Sequence, residues 1–91
     1  NIWTGRASEA GVDRLILDFS GVSSEVKPDI WVDVAGGKVV QKGGYPVLHQ
    51  SGLYRVALDI RRDSGKPADI RVQLRSGNRP FSEYVHYPLG A

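Results

Sequence analysis

Two segments of this chain place an apolar side chain at every second position. In Arg14-Leu15-Ile16-Leu17-Asp18-Phe19, residues Leu15, Leu17 and Phe19 share one side, with Arg14, Ile16 and Asp18 on the other. Ile70-Arg71-Val72-Gln73-Leu74-Arg75 alternates apolar and polar residues without a break. A period of two is the pleat of a half-buried strand, and a helix would need apolar residues every three to four positions. The same period recurs at Ile30, Val32 and Val34, and again at Tyr54, Val56, Leu58 and Ile60. Shorter strands are expected at 2–6, 38–41, 45–49 and 81–87. The last of these puts Phe81, Glu83, Val85 and Tyr87 on one side and Tyr84 and His86 on the other. About eight short strands separated by turn residues predict an all-β chain with no helix. The expected architecture is an immunoglobulin-like two-sheet β-sandwich of about seven to eight antiparallel strands.

Turn chemistry refines this reading. Gly36-Gly37 supplies the backbone freedom of a tight hairpin turn between 30–34 and 38–41. Gly43-Gly44 reads as a second break, and Arg62 to Pro67 as a polar hairpin loop. Ser51-Gly52-Leu53-Tyr54-Arg55-Val56 resembles the tyrosine corner of immunoglobulin-like sandwiches. In that reading Val56 stands where an antibody domain has its second cysteine, and Trp31 is the core tryptophan.

The 91 residues are expected to form a single domain, 1–91. There is no cysteine, which excludes disulfides and thiolate metal sites. There is also no methionine, and Asn1-Ile2-Trp3-Thr4 already reads as strand. The chain is therefore expected to be a piece of a longer protein. Twelve basic and ten acidic residues give a net charge of +2, too balanced for an evident nucleic-acid binder. No apolar run approaches the roughly 20 residues of a membrane-spanning helix.

No catalytic motif is present. His49 and His86 have no third ligand at metal-binding spacing, so no metal or other cofactor is expected. Asp18, Asp33, Asp59 and Glu83 lie within strands, where carboxylates pair with cross-strand arginines more often than they form a glycosidase dyad. Arg55, Arg71 and Arg75 are the expected partners. Arg55, Arg61, Arg62, Arg71, Arg75 and Arg79 fall on what read as two adjacent strands. Asp59, Asp63 and Asp69 interleave with them, which favours a salt-bridged face over a nucleic-acid surface. Of the aromatics Trp3, Trp31, Tyr45, Tyr54, Tyr84 and Tyr87, most are expected to fill a core or an interface. Trp31, Tyr84 and His86 are the candidate binding residues, for a glycan or for another part of the parent protein.

Three segments together resemble the C-terminal domain of the periplasmic glucan biosynthesis protein G/D family, the MdoG-like proteins of Gram-negative bacteria. Arg14-Leu15-Ile16-Leu17-Asp18-Phe19-Ser20-Gly21 is similar to the family's R-x-hydrophobic-hydrophobic-D-F-x-G strand. Leu53-Tyr54-Arg55-Val56-Ala57-Leu58-Asp59 is similar to its aromatic-R-V-x-F/L-D strand. Ile70-Arg71-Val72-Gln73-Leu74-Arg75 with Phe81-Ser82-Glu83 is similar to its L-R-x-x-L and L-S-E-T-W ending. The chain departs from the family pattern after Ser82-Glu83, where Tyr84-Val85 replaces Thr-Trp and moves the large ring by one residue. No role of that tryptophan carries over. The resemblance implies a periplasmic parent with a large carbohydrate-binding β-sandwich, followed by this smaller domain. It further implies a part in making the β-glucan of osmoregulated periplasmic glucans, with the cleft's acidic residues in the larger domain. The expected partners are that larger domain and, through the parent, β-glucan. The alternatives are an autonomous carbohydrate-binding module and an unrelated adhesion domain that pairs through an edge strand such as 45–49.

Overall fold

The computed structural model describes residues 2–6, 11–22, 27–47, 52–64, 66–76, 79–80, 82 and 84–90. His49, Phe81 and Glu83, singled out in the sequence, lie outside them. Among the described residues, eight strands run in chain order: β1 (Ile2–Arg6), β2 (Val12–Phe19), β3 (Asp29–Ala35), β4 (Gly37–Pro46), β5 (Tyr54–Arg62), β6 (Ala68–Ser76), β7 (Arg79–Pro80) and β8 (Val85–Leu89). No helix occurs among the described residues. One sheet has the order β1-β2-β5-β4. The other has β3 beside β6, with β7 and β8 both pairing with β6. β8 pairs over Ala68 to Val72 and β7 over Arg75 and Ser76, so together they act as one interrupted strand along β6. All pairs are antiparallel. This strand order matches the ABED and CFG sheets of a constant-type immunoglobulin sandwich.

The alternating residues form the layer between the sheets, as their period predicts. Leu15, Leu17 and Phe19 of β2, Val56, Leu58 and Ile60 of β5, and Ile70, Val72 and Leu74 of β6 are each 1 % exposed or less. Ile30, Val32 and Val34 of β3 and Val85 and Tyr87 of β8 pack against this core. Burying a large aliphatic side chain contributes about 1.5–3 kcal/mol, so these pleat-matched faces account for most of the cohesion between the sheets.

The structure corrects five local expectations. Gly36-Gly37 is not a hairpin turn, because β3 and β4 belong to different sheets. Gly36 has φ +84°, and a Cβ there would lie 2.6 Å from the carbonyl oxygen of Pro67. The Asp63 N–H donates to the Gly36 carbonyl at 2.9 Å. The two passages between sheets, at Gly36 and before β6, thus lie against each other. A hairpin and a sheet-to-sheet crossing need the same glycine chemistry, so the local signal could not tell them apart. The segment from Arg62 to Pro67 is likewise a crossing, since β5 and β6 face each other across the core.

Gly43-Gly44 does not break the chain. β4 runs through it, with Gly43 opposite Ala57 and Gly44 opposite Val56. The reason is Tyr54, whose Cε2 would be 2.6 Å from a Cβ at Gly44. The missing side chain lets the tyrosine ring cross the strand. This also displaces the tyrosine-corner reading. Tyr54 opens β5, whereas the corner tyrosine of an immunoglobulin domain stands near the start of the strand equivalent to β6. Finally, Trp31 is not a core residue. Ile30, Val32 and Val34 take the inner face of β3, and the pleat sends Trp31 outward.

Candidate functional site

The candidate residues Trp31, Tyr84 and His86 all reach the outer face of the smaller sheet. Trp31 stands opposite Gln73, Asp33 opposite Arg71, and Arg71 opposite His86. The Trp31 and Tyr84 rings approach to 6.0 Å between centroids with their planes 35° apart. The Arg75 guanidinium lies over the Trp31 ring, 4.3 Å from its centroid. Its Nε donates to Oε1 of Gln73 at 3.1 Å, which fixes the guanidinium in place. Tyr84 is 53 % exposed and Trp31 is half-buried. His86 shares the face but pairs with Asp69, Nε2 to Oδ1 3.3 Å, and stands apart from the ring stack. Arg71 pairs with Asp33 at 3.2 Å.

In the gap between β7 and β8, the Leu74 N–H would lack a strand partner. It donates instead to Ser82 Oγ at 2.8 Å. Arg75, Gln73 and Ser82 were not singled out as site residues from sequence. Their signal was the pairing of β3 with β6, which no local pattern reveals.

The outer face of the larger sheet carries paired charges. Arg14 grips Asp59 with bonds of 2.8 and 3.1 Å, and Arg55 grips Asp18 with bonds of 2.8 and 3.0 Å. Arg62 bonds Asp13 at 3.0 Å. The hydrogen bonds from Arg55 hold the Asp18 carboxyl below the usual carboxylate range, and those from Arg14 do the same for Asp59. Asp18, Asp33 and Asp59 therefore pair with cross-strand arginines as expected, although the partner of Asp59 is Arg14 and Arg75 lies over Trp31 instead. Because β5 and β6 lie in opposite sheets, their arginines do not form one basic patch. Between the two bidentate pairs lies a shallow cavity of about 180 Å³, with Arg14, Gln41, Gly43, Tyr45, Ala57 and Asp59 around it. Among the described residues, no group of three His, Asp or Glu side chains is placed to hold a metal ion.

A family model described as periplasmic glucan biosynthesis protein, MdoG, matches residues 1–89. Comparison with curated proteins and with solved structures gave no match.

Proposed function

The chain belongs to the MdoG family of periplasmic glucan biosynthesis proteins, and from that premise we propose that it is a non-catalytic, immunoglobulin-like accessory domain. It works in the periplasm as part of a longer protein, where its smaller sheet docks against a larger carbohydrate-binding domain. The observation that carries this reading is the Trp31–Tyr84–Arg75 cluster. Trp, Tyr and Arg are the residues enriched at protein interfaces and their energetic centres. A sugar stacks on an open ring face, and here the guanidinium of Arg75 covers one face of Trp31. That favours a protein surface over a glycan as the partner of this side.

The charged groups support the non-catalytic part of the reading. A glycosidase needs one carboxyl that keeps its proton near neutrality. Asp18 and Asp59 are pushed the other way by their arginines. The test is a Trp31→Ala/Tyr84→Ala double variant of the full-length parent. Limited proteolysis between the domains should accelerate at least tenfold, and solution scattering should show an expanded particle. A variant as compact and as protease-resistant as the parent would overturn the docking reading.

A further inference from the structure

We propose that the cavity on the outer face of the larger sheet is a surface subsite for one neutral pyranose ring of a β-glucan chain. The glucan as ligand rests on the family reading above, while the site rests on its own geometry. Two facing positions there lack bulk: Gly43 on β4 and Ala57 opposite it on β5 leave a trough where a strand pair ordinarily carries side chains. Nothing lies within 4 Å of a Cβ built at Gly43, so the trough is open at its centre. Its volume of about 180 Å³ is below the roughly 300–1,000 Å³ of pockets that engulf a whole small molecule. It suits contact with a single ring of a longer chain.

The walls fit a neutral, many-hydroxyl ligand. Tyr45 is 52 % exposed, and a side-chain hydrogen bond joins it to Arg55, itself held by Asp18. The ring is thus fixed in advance, which lowers the entropy lost on binding. On the other wall stand Gln41 and the Arg14–Asp59 pair. A bidentate arginine–carboxylate pair keeps hydrogen-bonding capacity at its edges but presents no net charge. An anionic ligand would gain little there, and neither would a cation. The Lys42 ammonium keeps its charge but is turned toward the Ile30 carbonyl of the other sheet, to which it donates at 3.1 Å.

The test is amide chemical-shift mapping of the 91-residue chain titrated with a linear β-linked gluco-oligosaccharide. Shifts should centre on 41–45 and 57–59. Gly43→Leu, which fills the trough from an open position, should abolish them. Tyr45→Ala should weaken binding at least tenfold with the spectrum otherwise unchanged. Trp31→Ala should leave the titration unaltered, which separates this site from the docking face. Absence of shifts, shifts centred on Trp31 and Tyr84, or undiminished binding by Gly43→Leu would each overturn the subsite.

Discussion

Adjacent glycines in β4 have opposite reasons to be glycine. At Gly44 an added methyl would meet Tyr54 at 2.6 Å and Ile30 Cδ1 at 3.0 Å. At Gly43 it would meet nothing. Overpacking a fitted site costs about 1–3 kcal/mol, whereas replacing an unneeded strand glycine stabilises by roughly 0.5–1 kcal/mol. Gly44→Ala should therefore lower the urea midpoint and Gly43→Ala should hold or raise it. Equal effects from the two would contradict the packing of Tyr54 over β4. Charge acts at the same scale. Asp18 and Asp59 have folded pKa values below their unfolded ones. Their contribution is fully present above the unfolded value of about 3.9 and is lost as pH falls through the lowered folded values. Stability should thus stay level from neutrality to about pH 5 and then fall in acid. An Asp18→Asn/Asp59→Asn double variant should be less stable at neutral pH and show a flatter acid limb in denaturant titrations.

At the scale of elements, the pleat made β2, β3, β5 and β6 readable, because each strand has one face that must be buried. It could not say which sheet a strand joins. Gly36 illustrates the limit: positive φ is needed by a hairpin and by a crossing alike. The interruption between β7 and β8 was equally hidden, since the bond that bridges it joins residues from separate elements. Ser82→Ala removes the acceptor for the part-buried Leu74 N–H. An unsatisfied buried donor costs about 1–3 kcal/mol. The variant should lose that much stability, and hydrogen exchange should quicken at Leu74 more than at Leu58 in the other sheet. Unchanged exchange at Leu74 would contradict the bond from its N–H to Ser82.

For the whole molecule, two layers joined through one apolar core imply that inner and outer side chains differ sharply in their worth to the fold. Leu17 is 1 % exposed, and truncating such a residue costs about 2–5 kcal/mol. Trp31 lies outside that core and stacks on the surface partners Tyr84 and Arg75. Thermal melts of the 91-residue chain should show a large drop for Leu17→Ala and a much smaller one for Trp31→Ala. A melt for Trp31→Ala as low as that of Leu17→Ala would return the tryptophan to the core.

The inner faces of the strands and the family were legible in the linear order of residues. Each depends on periods or motifs a few residues long, and burial enforces the period wherever one face of a strand is apolar. Partition of the strands between sheets, the continuity of β4 and the covering of Trp31 by Arg75 were settled only in three dimensions. Residues far apart in the chain meet there, and what each can do depends on the neighbour that the register supplies.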